Sequence, residues 1–123
     1  MANRHLHLII RAETRNTPSD PNWVHGWLTQ MVTDIGMKIL QGPITTYLDV
    51  PGNRGVTGVV IIETSHIALH VWDESDPGLL QLDVYTCSDL DPNVVLDKIR
   101  EFDPVKLEYK YLDRETCLTE IPV

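Results

Sequence analysis

The sequence predicts an α+β fold: a two-layer sandwich with a mainly antiparallel sheet and two helices on one face. Three observations carry it. Apolar residues alternate with polar ones, or run β-branched, in several stretches of strand length. Two Asp-Pro pairs, Asp20-Pro21 and Asp91-Pro92, each precede apolar residues at helical spacing. The middle strands are joined by tight turns, which favours hairpins over parallel crossovers. The expected element order is β-α-β-β-β-β-α-β.

The 123 residues, 42% of them hydrophobic, suit one domain, residues 1–123, with one core. No apolar run reaches the length of a membrane span, and no basic region followed by an apolar stretch opens the chain as in a signal peptide. The formal charge of −8 argues against nucleic acid or an anionic membrane as a partner. Two cysteines, Cys87 and Cys117, make no disulfide framework, so a cytoplasmic, reducing location is expected.

Arg4 to Arg11 alternates His5 and His7 with Leu6, Leu8 and Ile10 and reads as the first strand. His5 and His7 could share a strand face, but no further ligands stand at metal-site spacing, so no metal is expected. Glu13 to Ser19 is polar and reads as a loop. After Asp20-Pro21, Trp23, Trp27, Leu28, Met31, Val32 and Ile35 recur at helical spacing up to Gly36. Met37 to Leu48 reads as the second strand, and Asp49 to Arg54, with Pro51, Gly52 and Asn53, as a loop.

Val56 to Ile62 and His66 to Trp72 read as a hairpin. A two-residue turn at Glu63-Thr64 sets Thr57 opposite His70. Ser65 then falls on the opposite parity from His70, so a regular ladder keeps those two apart unless the backbone bulges near Thr64-Ser65. Leu79 to Cys87 follows the Asp76-Pro77-Gly78 turn as a third strand. Val95, Leu96, Ile99 and Phe102 mark a short helix, and Val105, Leu107, Tyr109 and Tyr111 the last strand. The tail after Asp113 gives no signal.

Thr64-Ser65-His66-x-x-x-His70-x-Trp72-x-Glu74, followed by Asp83-Val84-Tyr85-Thr86-Cys87, resembles the core of the small prokaryotic S-adenosylmethionine decarboxylase proenzymes. That family reads Glu-Ser-His-x-x-x-His-Thr-Trp-Pro-Glu and then Asp-Val-Phe-Thr-Cys. The motif covers the middle third of the chain, and the order of elements agrees beyond it. Taken singly, a turn serine, a strand cysteine and a cross-strand histidine explain these residues. Joined in this order and spacing, they favour the functional reading.

The resemblance implies a pyruvoyl-dependent enzyme that cuts itself. The Ser65 hydroxyl attacks the Thr64 carbonyl to give an ester, a base removes the Ser65 α-proton, and elimination leaves a β chain, residues 1–64, and an α chain, residues 65–123. The dehydroalanine at residue 65 hydrolyses to a pyruvoyl group. That covalent cofactor forms a Schiff base with the substrate amine and accepts the electrons left by carbon dioxide. His70 matches the processing base and Cys87 the proton donor. Thr57 stands where the family has serine and keeps a hydroxyl for oxyanion support. Glu74 matches the ribose-binding carboxylate, and Tyr47 is the nearest aromatic for adenine.

The implied substrate is S-adenosylmethionine, decarboxylated to the aminopropyl donor of spermidine synthesis. The implied assembly is a homodimer of processed protomers, (αβ)2, paired through edge strands. Decarboxylation of arginine or ornithine, or an unprocessed binding or regulatory subunit, stay open beside it. Thr64, Val71 and Asp73 replace the family's glutamate, threonine and proline, and Asp49 to Arg54 is longer than its counterpart.

Overall fold

The computed structural model describes residues 4–123. It contains β1 (Leu6–Thr14), α1 (Pro21–Asp34), β2 (Ile39–Leu48), β3 (Gly55–Ile62), β4 (Ser65–Trp72), β5 (Gly78–Thr86), α2 (Pro92–Arg100), β6 (Pro104–Asp113) and β7 (Thr119–Glu120). Both helices begin as their sequences predict: Asp20 and Asp91 accept the N–H groups of Asn22 and Asn93, and proline follows each cap.

All strands join one antiparallel sheet in the order β2-β3-β4-β5-β1-β6-β7. The amino-terminal strand β1 therefore lies between β5 and β6, which come late in the chain. The sandwich predicted from sequence is the fold observed, with two differences at its margins. β1 runs on to Thr14, past the predicted loop start at Glu13, because Thr14 is buried and its hydroxyl is bonded to that of Thr17 at 2.8 Å. The tail after Asp113 adds the short exposed strand β7 against β6.

One face of the sheet is the core. Leu8, Val84, Ile67 and Val60 form a row across four strands, all buried. Val24, Trp27, Leu28, Met31 and Val32 of α1 and Val95, Leu96 and Ile99 of α2 belong to the same apolar cluster. Gly58 lets α1 seat closely, since a Cβ there would stand 2.6 Å from a Leu28 methyl. Gly55 lets β3 begin against β4, where a Cβ would fall 1.7 Å from the Val71 carbonyl oxygen. The opposite face, with Ile9, Val59, Ala68 and Asp83 in one row, has no covering layer among the described residues.

Candidate functional site

The β3–β4 hairpin turns in two residues, Glu63 and Thr64, with Ile62 paired to Ser65. The β3–β4 register places Thr57 opposite His70, as the period of two requires. The ladder has no shift from Thr57 to Ile62, so no bulge redirects Ser65. Ser65 points into the helix-covered face and is 8% exposed. His70 lies on the open face, five residues along β4, or about 17 Å at the usual strand rise.

Thr64, Ser65 and Cys87 meet at the hairpin tip. Cys87 follows the end of β5, and its backbone N–H donates to Ser65 Oγ at 2.9 Å. Its thiol touches the Thr64 hydroxyl and donates to the Glu63 carbonyl at 3.2 Å. The Thr64 hydroxyl, and after it that of Ser65, pull the Cys87 thiol below the ordinary thiol range against desolvation and the Glu63 charge. Thr64 itself has φ +52°. A β-branched residue in the left-handed region is strained, and here it carries the carbonyl next to Ser65.

His70 and Thr57 form a second zone on the open face. An open depression of about 430 Å³ there is lined by Ile9, Arg11, His70, Gln81 and Asp83, among others. The same face carries a cluster missed by spacing: His7 and His66 both reach Asp83 Oδ1, at 3.2 and 2.9 Å. Burial pushes the Asp83 carboxyl up, but hydrogen bonds from His7 and His66 hold it below the usual carboxylate range. His5 turns aside to the Tyr85 hydroxyl at 3.1 Å.

Glu74 and Tyr47 form a third zone at the far end of β4, about 24 Å along the strand from Ser65. Glu74 holds the Asp49–Arg54 loop. Its carboxylate accepts the backbone N–H of Arg54 at 2.7 Å and of Gly52 at 3.1 Å, and these bonds lower its pKa. The Tyr47 hydroxyl donates to Asp73, and the Trp72 indole donates to Asn53 of the loop at 2.8 Å. The site residues named from sequence thus fall into three groups spaced along the direction of β4, and Thr64, Ser65 and Cys87 meet in the first of them.

A family model described as S-adenosylmethionine decarboxylase matches residues 6–115. The chain is similar to the S-adenosylmethionine decarboxylase proenzyme of Bacillus velezensis, 52% identical over 48 residues, which are 39% of this chain and 36% of that protein. It is also similar to that of Archaeoglobus fulgidus, 39% identical over 63 residues, 50% of this chain and 54% of that protein. The chain thus aligns with about a third to a half of the length of these curated relatives. The adenosylmethionine decarboxylase of Aquifex aeolicus superposes over 100% of this chain and 98% of its own, with a TM-score of 0.64 and 22% identity, and so shares the fold. With the family model running from the first residue of β1 to just past β6, the chain belongs to the S-adenosylmethionine decarboxylase family.

Proposed function

We propose that the chain is a self-processing, pyruvoyl-dependent decarboxylase of S-adenosylmethionine that acts in the cytoplasm and supplies the aminopropyl donor for spermidine synthesis. The observation that carries this reading is the hairpin tip, where the Ser65 hydroxyl, the Thr64 hydroxyl and Cys87 meet at the strained residue Thr64, whose carbonyl precedes Ser65. These residues fit a serine-derived pyruvoyl group. The hydroxyl sits on the residue just after the bond to be cut, and the Cys87 N–H fixes its direction. When formed, that group supplies the electron sink that unmodified side chains lack.

Cys87 is the acid of the second reaction. Its thiol lies at the same tip and holds a proton for the substrate α-carbon. Cys87→Ala is expected to cleave normally and to lose about 100-fold or more in turnover, the scale of a positioned acid. Carbon dioxide release from carboxyl-labelled S-adenosylmethionine measures it, with arginine and ornithine as competing substrates. Equal turnover in the two proteins removes the donor role.

His70 as processing base, Thr57 as oxyanion support and Glu74 with Tyr47 as nucleoside contacts need a second copy. Within one chain these groups and Ser65 lie at opposite ends of β4, and His70 points away from Ser65. A two-fold axis reverses one β4 against the other and brings the far end of one copy to the near end of its partner. The uncovered sheet face, with Ile9, Val59 and Ile61 exposed, suits that contact better than pairing through edge strands. Glu74 must then release the Asp49–Arg54 loop to receive the ribose. Light scattering at micromolar concentration is expected to give the mass of two copies; a monomer leaves His70 without access to Ser65 and ends this part of the reading.

A further inference from the structure

We propose that His7, His66 and Asp83 form a binding site for a divalent first-row cation of the zinc class, distinct from the hairpin tip. One possible ligand atom from each of His7, His66 and Asp83 lies within 4.8 Å of the other two. Asp83 Oδ1 is 3.2 Å from His7 Nε2 and 2.9 Å from His66 Nε2. A tetrahedral ion with bonds of about 2.1 Å holds its ligand atoms about 3.4 Å apart, so the cluster is near ligation geometry before any ion enters. Two imidazoles and one carboxylate also leave a coordination position open.

The sheet fixes this arrangement. His7 on β1 and His66 on β4 both stand opposite Tyr85 of β5, one on each side. Asp83 precedes Tyr85 by one pleat and projects from the same face. Each ligand thus comes from a different strand at the middle of the sheet, which places it more firmly than a loop does. All three side chains are partly buried, at 16%, 43% and 31% exposure for His7, His66 and Asp83. In a single chain the face is open, so an ion has a path in; in the dimer proposed above, the second copy would cover the same face and the ion with it.

Proton positions decide the affinity. In the ion-free protein two imidazole Nε2–H groups converge on one carboxylate oxygen. Binding requires each proton to leave Nε2, either to Nδ1 or to solvent. His66 Nδ1 has no hydrogen-bond partner among the described residues. His7 Nδ1 faces the Arg114 guanidinium at 3.1 Å, which donates to it and opposes that tautomer. Arg114 is exposed, and its guanidinium lies 4.4 Å over the Tyr85 ring while it holds His7. Arg114 therefore acts as a built-in competitor of the ion.

The experiment is calorimetric titration of metal-stripped full-length protein with zinc chloride, followed by cobalt(II) loading and visible spectroscopy. One ion per chain is expected. His7→Gln, His66→Ala and Asp83→Asn should each weaken binding about 10-fold or more, since even outer-shell partners of bound metals are worth that much. Arg114→Ala should bind more tightly. Cys87→Ser should bind zinc as the parent does, and the cobalt spectrum should lack thiolate charge transfer. Far-UV circular dichroism confirms the fold of each variant. No zinc uptake, unchanged affinity in the folded His7→Gln and His66→Ala proteins, weaker binding in Arg114→Ala, or dependence on Cys87 overturns the proposal. None of these readouts depends on cleavage or turnover, so the site stands or falls apart from the decarboxylase reading.

Discussion

Ser65→Ala protein is expected to remain one chain of 123 residues and to release no carbon dioxide, while the parent resolves into fragments 1–64 and 65–123. The nucleophile of the proposed cleavage is the side chain of the residue just after the cut, and alanine has none. His70→Ala should stall one step later, because the acyl shift needs only Ser65 whereas elimination needs a base. Hydroxylamine, which cleaves esters, should cut His70→Ala between Thr64 and Ser65 and leave Ser65→Ala whole. The substitution is not silent in stability. Ser65 is buried and accepts the Cys87 N–H, so its loss costs about 1 kcal/mol. Sequence alone suggests a smaller cost for a serine beside a turn. Parent protein that stays intact through long incubation, and takes up no carbonyl reagent, would defeat self-processing and favour an unprocessed binding subunit.

Gly55→Ala is the substitution the fold should tolerate least. A Cβ at residue 55 falls 1.7 Å from the Val71 carbonyl oxygen and 3.0 Å from the Trp72 Cα. Both are backbone atoms of the paired strand, so no rotamer change relieves the clash. Either β3 or β4 must shift at the point where Asp73 N–H donates to the Arg54 carbonyl and the Asp49–Arg54 loop is anchored. Overpacking of this kind costs about 3 kcal/mol or more, and lowers Tm by about 10 °C for a domain of this size. Thermal melting of Gly55→Ala in the Ser65→Ala background separates this from any effect of cleavage. A change in Tm of a degree or two would show that the two strands part easily there.

Much of this fold was legible because its elements repeat local rules. Asp20-Pro21 and Asp91-Pro92 mark both helix starts, and alternation marks the strands. Even the separation of Ser65 from His70 follows from parity, since a two-residue turn fixes every pair in the hairpin. What escaped was long-range. His7 meets Asp83 and His66 only because β1 inserts beside β5, a placement that no local spacing encodes. Glu74 looks free in sequence, and its two bonds to loop amides depend on how Gly52 and Arg54 turn back toward it. β7 is two exposed residues, too short for any period to register. Thr14 reads as loop because its burial depends on a hydroxyl contact that hydropathy ignores.

The strand order β2-β3-β4-β5-β1-β6-β7 has a topological consequence for a chain cut at the β3–β4 turn. The first fragment would own β2, β3 and β1, and the second β4, β5, β6 and β7. Their strands interleave: β1 of the first is clasped on both edges by β5 and β6 of the second, while β3 zips onto β4. Pulling the fragments apart would open three ladders at once and split the apolar layer beneath them. A nicked molecule therefore unfolds before it dissociates, and its melting should depend on protein concentration although its native mass does not. The same interleaving dictates timing. In an uncut chain the clasp closes within one molecule; in a cut one it would be an encounter between two partly structured pieces, so a cut at this turn would have to come after the sheet is complete.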